Sequence, residues 1–257
     1  MVAFNPGMPP SSNPAYPPGG KPGFDGGGFL PNTLSGLQLW LDAAASVTIT
    51  ESSGSVSQWD DKSGNNNNVT QGIGSAQPTT NATTLNGKNV LDFDGGDYFT
   101  STASGLLSLS NGNNTSFVVS VQDATAQDHL ITVTEANVNR LTVYYTNVAG
   151  EMQFQSRNAA ANAVTLTGVT TTNWNIIVGR RDGTTQALSV NGGTEATNAF
   201  GNDEPDCDAF WIATRANIDS WLNGSIAEVI QYNRSLSASE RSSVENYLSN
   251  KWGVALS

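Results

Sequence analysis

The sequence predicts an all-β sandwich closed by one C-terminal helix, and three observations carry that prediction. Short runs alternate apolar and polar residues, β-branched and aromatic segments recur at close intervals between turn residues, and only the C-terminal end switches to helical spacing. In the first run Leu37, Leu39 and Leu41 alternate with Gln38, Trp40 and Asp42, and in another Phe117, Val119 and Val121 alternate with Ser116, Val118 and Ser120. Further strands are expected at 129–134, 140–146, 151–157, 174–181, 186–191 and 209–214, with the hairpin signals Asp182-Gly183 and Asn191-Gly192 between or just after them. The last strand, Ser225 to Tyr232, is closed by Asn233-Arg234-Ser235. A helix over 238–252 follows, with Val244, Tyr247, Leu248 and Trp252 on one side. Ser237 and Glu240 have the spacing of a capping box, and Gly253 suits the left-handed position beyond a helix end. No repeat of 20–50 residues and no alternation of strands with helices is present, which excludes solenoids, propellers and nucleotide-binding α/β folds.

At 257 residues the chain holds one such sandwich plus a tail. Only 13% of residues are charged, yet the net charge is −11, so there is little to offer a phosphate backbone and nucleic-acid binding is not expected. The densest basic spot, Arg180-Arg181 beside Asp182, reads as a solvated turn. Cys207 is the single cysteine and cannot form an intramolecular disulfide; flanked by Asp206 and Asp208, its thiol would be raised, not activated. His129 is the single histidine, which disfavours zinc and a Cys–His catalytic pair alike. No apolar run approaches the roughly 18 residues needed to span a bilayer. Met1 to Pro6 lack the basic and apolar regions of a signal peptide, so synthesis in a host cytoplasm with release by lysis is expected, an extracellular location being the alternative.

Residues 1–35 are rich in proline and glycine, with Phe4, Tyr16, Phe24 and Phe29 spaced among them. Such a composition cannot by itself bury enough surface to offset its ordering entropy. The segment therefore reads as an assembly arm that folds on a partner, its aromatics acting as anchors, with a plain spacer as the alternative. The sandwich is assigned to 36–257.

The closing segment from Asn223 to Gly253, NGSIAEVIQYNRSLSASERSSVENYLSNKWG, resembles the end of concanavalin A-like, laminin-G-type jelly-roll domains. GLQLWLDAAASVTIT with VSQWDDKSGNNNNVTQ, between Gly36 and Gln71, is similar to their opening, and NVLDFDGGDYFT, Asn89 to Thr100, to their second strand pair with its acidic turn. The resemblance covers about residues 36–255. It implies a concanavalin A-like jelly-roll β-sandwich with a C-terminal helix, a fold that hosts glycan lectins, adhesion modules, glycosidases and virion surface proteins.

Several residues are candidates for chemistry on that frame. Trp59 and Tyr98, close to acidic loops, are the expected exposed aromatics for glycan stacking, whereas Trp174, Trp211 and Trp252 are assigned to packing. No cofactor is required; calcium is the one ion the pattern would accept, at Asp92, Asp94 and Asp97 or at Asp60, Asp61 and Asn65, whose hard oxygens suit it. Asn65 to Asn68 reads as an exposed loop. Glu204-Pro205-Asp206-Cys207-Asp208 is a distant echo of the alternating carboxylates of glucanases with this architecture. Pro205 would break a strand there, so the run reads as an acidic loop and no catalytic residue is assigned. Glu228, set among apolar residues, reads as a buried or edge carboxylate bonded to backbone or Trp N–H groups.

The expected function is a non-enzymatic virion accessory protein, a capsid decoration, head fibre or tail-associated protein of a bacteriophage. Its arm would dock on capsid or tail proteins, and its sandwich, as a homo-oligomer, would project outward and bind host polysaccharide. The resemblance to phage particle proteins with such arms implies this class. The alternative is a secreted or surface lectin or adhesion module, and the third reading is a glycoside hydrolase.

Overall fold

The computed structural model describes residues 28–101, 113–135, 138–157, 161–199, 209–216 and 219–257. The strands are β1 (Leu37–Asp42), β2 (Ile49–Ser52), β3 (Ser55–Trp59), β4 (Val69–Thr70), β5 (Thr79–Leu85), β6 (Lys88–Asp94), β7 (Phe99–Ser101) and β8 (Asn113–Gln122). They continue with β9 (His129–Glu135), β10 (Val138–Tyr145), β11 (Glu151–Arg157), β12 (Ala161–Thr167), β13 (Asn175–Asp182), β14 (Thr185–Val190), β15 (Ala196–Ala199), β16 (Ala209–Ile212) and β17 (Asn223–Tyr232), before the helix α1 (Ala238–Trp252).

All pairings are antiparallel. In the first sheet β17 is central: one edge pairs with β8, and the other is shared, β6 meeting Asn223 to Ile226 and β1 meeting Glu228 to Tyr232. β8 leads on through β13 and β14 to β15, and β6 to β5. The second sheet runs β2, β3, β4, β7, β16, β9, β10, β11, β12. A single pairing, Ser55 with Thr79, ties the two layers at a corner.

Period two explains how the first sheet serves two cores. Leu39, Leu41, Val118, Ile177 and Val229 point into the core shared with Ile131, Val133, Val143, Phe154 and Ile212 of the second sheet. Their neighbours Trp40, Phe117, Val119, Ile176, Val178 and Ile230 point the other way, into a core covered by Val244, Leu248 and Trp252 of α1. Residues 116, 118 and 120, expected to be the exposed partners of Phe117 and Val119, are therefore buried as well. The two sheets come close at Gly179, where a Cβ would lie 2.8 Å from the Phe154 ring.

The helix is capped as its sequence predicts. The Ser237 hydroxyl accepts the Glu240 N–H at 3.3 Å, and the Glu240 carboxylate accepts the Ser237 N–H at 2.8 Å. Gly253 takes the left-handed conformation, φ 72°, and its N–H bonds to Ser249 O at 2.8 Å. Arg234 closes a two-pronged bridge on Glu240 at 2.7 and 3.0 Å, which helps hold that carboxyl down to about 2.

Two expectations about the chain's surface are corrected. Residues at the end of the proposed arm belong to the body: Phe29 and Leu34 pack on the helix-side core, Pro31 is buried, and the Tyr232 hydroxyl donates to Pro31 O at 2.9 Å. Phe4, Tyr16 and Phe24 lie outside the described residues. The Arg180-Arg181 pair is not a solvated turn, because both side chains sit within β13: Arg181 is buried, and Arg180 grips Glu195 at 2.9 and 3.0 Å while reaching Asp182. Among the described residues no helix is long and apolar enough to cross a membrane.

Candidate functional site

The aromatics expected on the surface are inside. Trp59 ends β3 with its ring turned into the inter-sheet core, fully buried and tilted against Phe99 at 6.2 Å. Tyr98 is only 7% exposed and lies against Trp211 of β16, centroids 6.0 Å apart. Their closeness in sequence to acidic turns was a poor guide, because strand pleat, not neighbouring charge, fixes the direction of each ring.

The acidic turns are self-contained. The Asp61 carboxylate accepts the N–H groups of Trp40 (2.9 Å), Ser63 (2.8 Å) and Asn67 (3.0 Å), so it organises the loop from within. Asn65 and Asn67 tie the asparagine run to β1, donating to Leu37 O at 2.9 Å and Gln38 O at 2.8 Å, while Asn68 accepts the Asp61 N–H at 2.9 Å. Asp60 takes the amide of Gln58 at 2.6 Å. At the other turn Asp92 accepts the Ser225 hydroxyl, Asp94 accepts Gly96 N–H at 2.9 Å, and Asp97 accepts Asp94 N–H at 3.1 Å. Burial, with Asp94 alongside, pushes the Asp97 carboxyl up to about 6. Asp92, Asp94 and Asp97 line one cleft of about 470 Å³ with Asp123 and Asn223. Even so, no three acidic, His or Cys side chains among the described residues converge to hold a metal. The expected calcium set Asp92, Asp94 and Asp97 is corrected accordingly: those oxygens hold a turn.

Glu228 fulfils its expectation with more partners than expected. It accepts indole N–H groups from Trp40 and Trp252, both at 2.6 Å, the Tyr247 hydroxyl at 2.9 Å and the Lys251 ammonium at 2.7 Å. Lys251 also reaches Asp42 at 2.6 Å, and Lys62 does so at 2.5 Å. These two ammoniums outweigh burial and hold the Asp42 carboxyl below its ordinary range. This knot pins α1 to β1 and β17. Its polar atoms all face one another, so it is a fastening and not a binding site.

His129 is structural too. Its ring stacks on Tyr144 at 4.6 Å and its Nδ1 bonds to the Thr142 hydroxyl at 2.8 Å. Burial drives it down to about 3, which keeps it neutral at physiological pH. Cys207 and the run Glu204 to Asp208 fall outside the described residues.

The open site lies elsewhere, at the end of the sandwich beside the C-terminus of α1. A cleft of about 830 Å³ is walled by the segment joining β12 to β13, the turn after β14 and the residues that follow α1. Trp174 is half-buried, packed partly on the helix-side core and lining the cleft. Around it Thr167, Thr170, Thr172, Asn173 and Thr194 are exposed and line the same space, above an apolar floor that includes Val121, Leu166 and Val254. The walls are fixed by side-chain amides that bond to backbone groups and to one another. Asn175 Nδ2 donates to Thr170 O at 3.1 Å and Asn173 O at 2.7 Å. Asn191 accepts Ile176 N–H at 2.8 Å and donates to Asn175 at 2.9 Å. Ser257 bonds Asn191 O through its N–H at 2.7 Å and its hydroxyl at 2.9 Å. Asn191 and Gly192 both have positive φ, 53° and 71°, as a tight turn of this hand requires. The framework is thus preformed while its rim hydroxyls are exposed, the arrangement that binds a polar ligand with least ordering cost. Sequence reasoning placed Trp174 in packing; the available signal was a lone tryptophan flanked by Thr170-Thr171-Thr172-Asn173 and Asn175, small polar residues that frame it on both sides.

A family model described as the concanavalin A-like lectin/glucanases superfamily matches residues 93–240. No curated protein sequence matches the chain. Among solved structures it is similar to the botulinum neurotoxin type G receptor binding domain, at 13% identity and a TM-score of 0.61, covering 86% of this chain and 54% of that one. It is similar to the Trypanosoma rangeli sialidase in complex with sialic acid, at 16% identity and a TM-score of 0.58, covering 85% of this chain and 33% of that one. The Ruminococcus gnavus IT-sialidase CBM40 bound to alpha2,3 sialyllactose is a third, at 19% identity and a TM-score of 0.51, covering 61% and 95%. At these identities the likeness is one of fold, and the chain spans about half the length of the neurotoxin domain it matches.

Proposed function

The chain belongs to the concanavalin A-like lectin/glucanases superfamily, and on that premise we propose that it is a non-enzymatic carbohydrate-binding domain whose ligand sits in the Trp174 cleft. One observation carries the reading: a half-buried indole surrounded by exposed threonine hydroxyls and an asparagine amide on a rigid frame. A sugar presents a flat C–H face and a ring of hydroxyls, which is the complement of that surface. Solved relatives of the same fold are described in complex with sialic acid and sialyllactose, which agrees in ligand chemistry. The test is titration of the full chain with a panel of oligosaccharides followed by nuclear magnetic resonance or calorimetry. Saturable binding that Trp174→Ala weakens supports the reading, and a panel with no binder ends it.

A second reading concerns where the domain works. Phe29 meets Tyr247 edge-on at 6.4 Å and lines, with Leu30, Asn246, Asn250 and Lys251, an apolar groove of about 620 Å³ on α1. The residues preceding Gly28 therefore leave from a point fastened to the body. We propose that they tether the domain to capsid or tail proteins of a virus particle, where it is displayed as a homo-oligomer. Mass spectrometry of purified particles against the soluble fraction tests this: fixed stoichiometry with particles is the expected result, and a chain found only in the soluble fraction overturns it. Removing residues 1–27 should leave a folded domain that no longer associates.

A further inference from the structure

We infer that the Trp174 cleft selects neutral oligosaccharides and rejects sialylated ones, a specificity that rests on the carbohydrate-binding reading and divides this chain from the sialic-acid-bound structures whose fold it shares. Among the described residues no side chain lining the cleft is charged. The lining consists of threonines, asparagines, glycines, one serine, one tryptophan and aliphatic residues. A carboxylate seated there would give up its hydration without meeting a cation, and burying an ionised carboxylate without a partner is strongly unfavourable. Sites that hold acidic sugars by direct recognition use an Arg fork or a Lys for this reason.

Six cations elsewhere on the described surface are already engaged. Lys62, Arg180, Arg215, Arg234, Arg241 and Lys251 are each in an ion pair with an Asp or Glu. Recruiting one would leave its carboxylate partner bare. The whole chain carries a net charge of −11, so the long-range field repels an anion before it arrives. Neutral sugars meet none of these penalties. Their C–H faces can lie on the indole, and their hydroxyls can exchange hydrogen bonds with Thr170, Thr172, Thr194 and Asn173, all of which line the cleft and are exposed. A volume of about 830 Å³ is ample for a short oligosaccharide.

The experiment compares the full chain's binding to lactose, alpha2,3 sialyllactose, and neutral gluco-, galacto- and N-acetylglucosamine oligomers at low and high salt. At least one neutral oligomer should bind, with Trp174→Ala weakening it tenfold or more and Trp174→Phe restoring most of it. Alpha2,3 sialyllactose should bind at least tenfold more weakly than that oligomer, and Thr172→Arg should narrow the gap. Tighter binding of sialyllactose than of every neutral sugar would overturn the neutral assignment while leaving carbohydrate binding in place. Equal neutral-sugar binding by a folded Trp174→Ala chain would overturn the cleft as its site. Absence of binding to any sugar would remove the underlying reading and this inference with it.

Discussion

The Glu228 knot and the Trp174 cleft flank the same helix, and both are built from tryptophan and polar side chains, yet they do opposite things. In the knot the polar hydrogens point inward at buried carboxylates: two indoles, a tyrosine and an ammonium converge on Glu228, and Lys251 and Lys62 also reach Asp42. In the cleft the amides of Asn175 and Asn191 are used on the frame, whereas Thr170, Thr172, Asn173 and Thr194 are left at the surface. The role of a tryptophan therefore follows from where its neighbours' hydrogen bonds end. Saturated partners make a fastening, and an open rim makes a receptor.

If that contrast is correct, the two regions should fail separately. Glu228→Ala leaves two indole N–H groups and the Tyr247 hydroxyl beneath the helix without their shared acceptor, and Lys251 with Asp42 alone. It should lower stability by about 3–5 kcal/mol in a denaturant titration, with glycan affinity of the surviving folded fraction unchanged. Trp174→Ala should do the converse, weakening glycan binding about ten- to a hundredfold while the melting temperature moves by only a few degrees. A variant that damages both properties equally would merge the two regions into one.

Asp97 sharpens the contrast from a third side, as a buried acid that has a backbone N–H and a second carboxylate for neighbours instead of an ammonium. With its folded value near 6 and an unfolded value near 4, the native state holds a proton that the unfolded chain releases between those limits. The contribution of Asp97 to stability should therefore be greatest below about pH 4 and fall as pH rises towards 6. The loss should be about 1 kcal/mol once solvent access at the turn is allowed for, and it should flatten above pH 6. Asp97→Asn should abolish that slope in thermal melts taken across the range. The smallest effect is expected at the helix start, where Ser237→Ala removes the acceptor for Glu240 N–H and should cost about 0.5–1 kcal/mol, read as a small shift in denaturation midpoint.

Local physics made much of this fold readable in the sequence, and long-range assembly set the limit. The capping box at Ser237 and Glu240, the Gly253 stop and the strand from Ser225 to Tyr232 are decided within a few residues, and each is found where expected. Glu228 was legible because a carboxylate among Ile226, Ala227, Val229 and Ile230 must find donors. Trp59 and Tyr98 were misjudged because exposure depends on which sheet lies opposite, and Phe99 and Trp211 reach them only in the folded chain. The cleft was hidden for the same reason. Its walls come from residues near 170, 192 and 255, and no local pattern announces that these three segments will meet.

The shared edge of β17 has a consequence for how the molecule is made. Leu37 finds its partner in Tyr232 and Leu91 in Ile226, so the first and sixth strands wait for residues synthesised long after them. β8 shares that wait, pairing with β17 from Gly224 to Tyr232. Until then the nascent chain carries several unsatisfied strand edges, and closure is a late, non-local event, slow in the way of sandwiches with distant pairings. Ribosome stalling or proteolysis upstream of residue 223 would release a fragment with three open edges, the kind of species that seeks pairing with other chains.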